Sequence, residues 1–104
     1  DAALEALDQS GILEREGKCW FGPMSVDEWI KIIQWDPMTH AWDIGRATGI
    51  DAHIPNELAA NSHELLEPMR ETLASWGLVS DRVAVADTAT ASERFLGLTG
   101  RDPS

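Results

Sequence analysis

The chain has 104 residues, enough for one domain with a modest core but short for a typical enzyme. Eighteen acidic against eight basic residues give a net charge of -10, which repels phosphate backbones and anionic lipid, so neither a nucleic-acid nor a membrane role is expected. A single cysteine, Cys19, excludes an intramolecular disulfide or a cysteine-based structural zinc and fits a reducing, cytoplasmic setting.

The elements read as mostly helical. Ala2 to about Leu7 is a short helix ended by the Ser10-Gly11 break, and the opening residues Asp1-Ala2-Ala3-Leu4-Glu5 show no signal-peptide pattern. A non-periodic stretch follows through Gly17, Gly22 and Pro23, with Cys19 beside Trp20 and Phe21 expected as a small buried hydrophobe. Ser25-Val26-Asp27-Glu28 is a capping box and opens a main helix expected to run to about Ala47, with Gly49 as its left-handed stop. Pro55 suits the start of another helix, bent at Pro68 and closed by Gly77 near Trp76. Residues 83–86, Val-Ala-Val-Ala, are expected as a short extended segment. Thr90-Ala91-Ser92-Glu93, a second capping box, opens a last helix that Gly100 closes. Glu64, Glu67 and Glu71, near Arg70, recur at helical spacing as a solvated face.

The main helix carries the chemistry. At about 100° per residue, Trp29, Ile33, Asp36, His40, Asp43 and Ala47 fall in one stripe, and the apolar residues framing the polar ones predict that the stripe faces the core. Buried ionisable groups persist only when paired, hydrogen-bonded or coordinated. Asp36 and His40, one turn apart, can reach one divalent ion, while Asp43 can hold the second imidazole N–H or pair with Arg46. The same residues admit a purely structural reading. Asp36-Pro37 is a common helix start, with Asp36 as cap and Pro37 in the first turn, which splits the long helix in two and leaves His40 a core histidine bonded to Asp43 or Asp36. His53, in a loop, and His63, on a polar helix face, read as surface residues. They are the only other histidines that could add a ligand.

Asp36-x-x-x-His40-x-Trp42-Asp43-Ile44-x-Arg46-Ala47-Thr48-Gly49, followed by Arg94-Phe95-Leu96-Gly97-Leu98-Thr99-Gly100-Arg101-Asp102-Pro103, resembles an actinobacterial, uncharacterised branch of the mycothiol-dependent maleylpyruvate isomerase and DinB-like superfamily. Phe21-Gly22-Pro23-Met24 and Leu66-Glu67-Pro68-Met69 resemble its intervening segments. The resemblance covers residues 1–104 but only the second half of the family. It implies an all-α, four-helix-bundle fold, here partial or completed by oligomerisation. It further implies a divalent metal, zinc or nickel, held by Asp36 and His40, with mycothiol as a possible cofactor. Asp43 and Arg46 belong to the hallmark as supporting residues around those ligands. The family's early helices and their histidine have no counterpart in this sequence, and Pro37 replaces the usual apolar residue.

Two functions follow. One is a metal-binding bundle protein of the thiol-dependent transferase or isomerase type, acting on a small thiol or electrophile, with further ligands from a homo-oligomer or a chain supplying the missing helices. The other is a noncatalytic interaction or dimerisation module with a degenerate metal site, burying Trp35, Met38 and Trp42, opposite the polar stripe, against a partner.

Overall fold

A computed structural model describes residues 1–19 and 22–104, without the side chain of Cys19. The environment expected for Cys19, Trp20 and Phe21 therefore lies outside the described residues. The fold is mostly helical, with a small antiparallel hairpin.

Helix α1 spans Ala2–Leu7, capped by the Asp1 carboxylate, and buries none of its residues. Gly11, with φ of 74°, turns the chain after it. Strands β1, Glu16–Cys19, and β2, Gly22–Ser25, then pair antiparallel in the stretch that periodicity had left unassigned. Glycines and Pro23 hide the alternation that would announce such a short hairpin. Helix α2, Val26–Ile33, begins at the expected capping box: the Ser25 hydroxyl accepts from the Glu28 N–H at 3.1 Å, and Glu28 reaches back to the Ser25 N–H.

The expected long helix divides. Helix α3 spans Trp35–Thr48, and Gln34 is both the last cap of α2 and the first of α3. Pro37 explains the break, because it lacks the N–H that would bond the Ile33 carbonyl and its ring crowds that carbonyl. The cap is Gln34 rather than Asp36, so Asp36 lies inside the first turn as a helical residue. Gly49 ends α3 in the left-handed conformation at φ 76°.

Helix α4 spans Asn56–Leu66, with Pro55 as its cap rather than its first residue. A 3-10 turn over Glu67–Met69 sits at Pro68, where the bend was expected, and leads into α5, Arg70–Ser75. Residues 83–86 belong to no strand, although half-buried Val83 and Val85 alternate with exposed Ala84 and Ala86 as in extended chain. The Val83 N–H bonds the Gly97 carbonyl at 2.9 Å. That close approach needs a glycine, since a Cβ on Gly97 would sit 2.5 Å from the Val83 oxygen. Helix α6, Ala91–Leu98, starts at the second capping box, with Glu93 N–H donating to Thr90 Oγ at 3.1 Å.

The core lies where α4 and α6 pack, and α2 and α3 lie against it. Ile54, Ala59, Leu66, Leu73, Phe95, Leu96 and Leu98 form the buried cluster, and Trp35, Met38 and Trp42 pack on it from α3. These three side chains, expected to serve a partner, are engaged by the chain's own core. Glu64, Glu67 and Glu71 are exposed, as their spacing predicted.

Candidate metal half-site on the outer face of α3

The break at Gln34 divides the expected stripe, with Trp29 and Ile33 on α2 and Asp36, His40, Asp43 and Ala47 on α3, and both parts are turned toward solvent. The side chains of Asp36, His40 and Asp43 are 71%, 60% and 41% exposed, and Trp29 and Ile33 are exposed beside them. The expectation that this face points inward is corrected, and the reason is energetic. Turning α3 the other way would bury three ionisable groups and release Trp35, Met38 and Trp42 to water. A cost of several kcal/mol per buried charge, in order of magnitude, and the lost burial of three large apolar side chains both oppose it.

Helix geometry brings the polar groups together. Asp36 Oδ1 lies 3.1 Å from His40 Nε2, and Asp43 Oδ2 lies 3.7 Å from His40 Nδ1. The imidazole thus sits between two carboxylates, one turn away on either side. A divalent ion with ligand bonds of about 2.0–2.2 Å and angles between 90° and tetrahedral holds adjacent donors roughly 3.0–3.5 Å apart. The Asp36–His40 spacing matches such an edge, and the pairing of carboxylate oxygen with imidazole nitrogen suits zinc or nickel. The same spacing serves a plain ion pair when the ring is protonated.

Two donors do not close a site. Among the described residues no group of three or more His, Cys, Asp or Glu is gathered as a metal cluster requires. His53 is exposed in the loop before α4, between two shallow clefts, one of about 510 Å³ beside Pro37, Met38 and Ala41 and one of about 280 Å³ beside Trp42 and Glu93. His63 faces Glu67 on α4, with Nε2 3.3 Å from its carboxylate. Neither joins Asp36 and His40.

The residue that sequence reasoning missed is Arg101. Its Nε and one terminal nitrogen donate to Oδ1 and Oδ2 of Asp43, each at 2.8 Å. Arg101 holds the Asp43 carboxyl below the usual carboxylate range, and His40 adds to this; partial burial opposes it. No periodicity links residues 58 apart, so only the Leu-Thr-Gly-Arg-Asp-Pro ending hinted at it. Arg46, expected to pair with Asp43, turns elsewhere: its guanidinium lies 5.0 Å from the Trp42 ring centre and donates to the Ser104 carbonyl at 2.6 Å. Both arginines therefore bind the C-terminal residues to α3.

Gly45 shapes the other side of the same helix. A Cβ there would meet the Ile50 carbonyl oxygen at 2.5 Å and the Ala52 Cβ at 2.8 Å, so the loop after α3 folds directly onto the helix. Next to Asp36, the junction of α2 and α3 opens a mainly apolar hollow of about 420 Å³ lined by Trp29, Ile32, Ile33, Trp35, Pro37 and Leu78. No helix among the described residues is long and apolar enough to cross a membrane.

Comparisons of the chain with family models, curated proteins and solved structures find no match.

Proposed function

We propose that this chain is a divalent-metal-binding helical protein related to thiol-dependent transferases and isomerases, in which Asp36 and His40 supply two ligands. The observation that carries the reading is the 3.1 Å separation of Asp36 Oδ1 and His40 Nε2 on an exposed helix face. The resemblance of the Asp36–Gly49 and Arg94–Pro103 blocks supports zinc or nickel as the ion and a DinB-like bundle as the complete fold. The remaining ligands come from another helix, on a second copy or on a separate chain, and the exposed Trp29 and Ile33 offer that helix an apolar seat. When bound, the ion polarises a low-molecular-weight thiol such as mycothiol or its electrophile. Asp36 and His40 bind the ion, and Asp43, with Oδ2 3.7 Å from Nδ1 of the ring, adds a negative charge beside the histidine. Metal analysis of the purified protein tests this. Bound zinc or nickel that is lost in Asp36→Ala and His40→Ala supports it; nil content, or content unchanged by both substitutions, overturns it.

The exposed apolar hollow favours a second reading, a noncatalytic interaction module. Its contact face is then Trp29, Ile33 and Leu78 rather than Trp35, Met38 and Trp42. A strictly monomeric mass in solution, with unchanged tryptophan fluorescence over a wide concentration range, counts against dimerisation through this face.

A further inference from the structure

The hollow at the junction of α2 and α3, about 420 Å³, has the size of a small-molecule cleft, roughly 300–1,000 Å³. Two tryptophans line it, Trp29 on α2 and Trp35 at the start of α3, on either side of the break at Gln34. Trp35 also packs on the core, which holds it in place, while Trp29 is open to solvent. Among the described residues the one charged group in the lining is Asp36. Its Oδ1 faces His40 Nε2 at 3.1 Å, and no described donor engages its other oxygen. The single cation of α2, Lys31, is paired with Asp27 at 3.0 Å and does not line the hollow. An apolar, aromatic cleft with one carboxylate has the makings of a site for a cation that carries its own apolar surface.

We propose that this hollow binds an alkylated ammonium group, the head of a small quaternary amine or of a methylated lysine. The inference rests on reading the hollow as an interaction site and needs no metal at Asp36 and His40. N-methyl groups give such an ion an apolar surface that gains by leaving water for Ile33, Pro37 and Leu78, whereas a bare ammonium is strongly hydrated and loses more on entry. Its positive charge is attracted to the electron-rich face of an indole, the best aromatic partner for a cation. Asp36 supplies the opposite charge. The net charge of -10 attracts cations to the whole surface, and it opposes both an anionic ligand and a second copy of this chain in the same place.

The probes are choline, its uncharged isostere with a tert-butyl group in place of trimethylammonium, and a short peptide carrying trimethyllysine. Each is titrated into the full chain in a buffer containing a chelator and followed by NMR at the indole N–H and side-chain methyl groups, with the mass in solution measured alongside. Choline is expected to shift the resonances of Trp29, Trp35 and Leu78, to leave Trp42 unmoved, and to bind about tenfold tighter than the isostere. Trp29→Ala weakens choline binding by about tenfold and Trp29→Phe by less, because a phenyl face holds a cation more weakly. Asp36→Asn weakens it by about threefold, a loss that shrinks as salt is raised. Backbone amide spectra identify any variant that has lost its fold. Equal binding of choline and the peptide assigns a free amine, and tighter binding of the peptide assigns a methylated polypeptide; both support the site. If choline and its isostere bind alike, or folded Trp29→Ala binds choline as the native protein does, the ammonium site is overturned and the hollow stands as an apolar contact face. If no probe moves these resonances, the ammonium site is overturned; a strictly monomeric mass then removes dimerisation through the hollow as well, and a dimer retains it.

Discussion

The hydroxyl of Ser62, a fully buried residue on α4, donates to the backbone carbonyl of Lys31 on α2 at 2.8 Å. Lys31 lies in the last turn of α2, where carbonyls lack an i+4 donor, so the bond both satisfies the helix end and joins two helices. Ser62→Ala leaves that carbonyl without its partner. The expected loss is about 1–2 kcal/mol in urea unfolding, or a melting temperature lower by roughly 4–16 °C. An unchanged midpoint would show that water reaches the Lys31 carbonyl.

Gly45→Ala sets helix propensity against sterics. Alanine favours a helix interior over glycine by about 1 kcal/mol, yet its methyl group would lie 2.5 Å from the Ile50 carbonyl oxygen. That oxygen is backbone and cannot swing aside as a flexible side chain does. Overpacking of about 1–3 kcal/mol then wins, and thermal denaturation is expected to show net destabilisation. A more stable Gly45→Ala protein would mean that residues 50–52 do not rest on α3.

The two capping boxes differ in what depends on them. Thr90→Ala removes the cap of α6, which supplies Phe95, Leu96 and Leu98 to the core. Ser25→Ala removes the cap of α2, whose one buried residue is Ile32. Each costs about 1 kcal/mol at equilibrium. Hydrogen exchange separates them: Thr90→Ala accelerates the slowest, core amides, whereas Ser25→Ala acts chiefly on α2. Equal acceleration of core amides by both would contradict this division.

Asp43 makes stability depend on pH in a defined direction. Arg101 lowers the folded pKa of Asp43, so the clamp contributes fully above the unfolded value, about 3.9, and is lost as pH falls through the depressed folded value. Partial exposure of both side chains limits the contribution to about 1 kcal/mol at neutral pH. Arg101→Gln is therefore expected to be less stable than the native protein at pH 7 and to lose that deficit in strong acid. A deficit that stayed constant across that range in denaturant unfolding would place the effect of Arg101 outside its pairing with Asp43.

Much of the local structure was legible because its causes are local. The boxes at Ser25 and Thr90, the stops at Gly49 and Gly100, and the bend at Pro68 each depend on a few neighbouring residues. The hairpin escaped because four-residue strands rich in glycine carry almost no alternation. The helical stripe was counted across a break at Gln34, and its α3 part was oriented wrongly: periodicity defines a face, but which face is buried depends on what the rest of the chain offers. Here Phe95 and Leu66 offered a surface that Trp35, Met38 and Trp42 fit better than Asp36 and His40. Arg101 escaped because its partner lies 58 residues away, and nothing in either neighbourhood specifies the other.

That separation has a kinetic consequence. Joining Arg101 to Asp43 closes a loop containing α4, α5 and α6, and such closure carries an entropic cost that is offset only after those helices have packed. The clamp is therefore a late contact in folding, and the surroundings of His40 mature after the core does. A chain lacking its last four residues should keep its helices and core, fold at nearly the native rate, and arrive with an Asp43 carboxylate that Arg101 no longer holds.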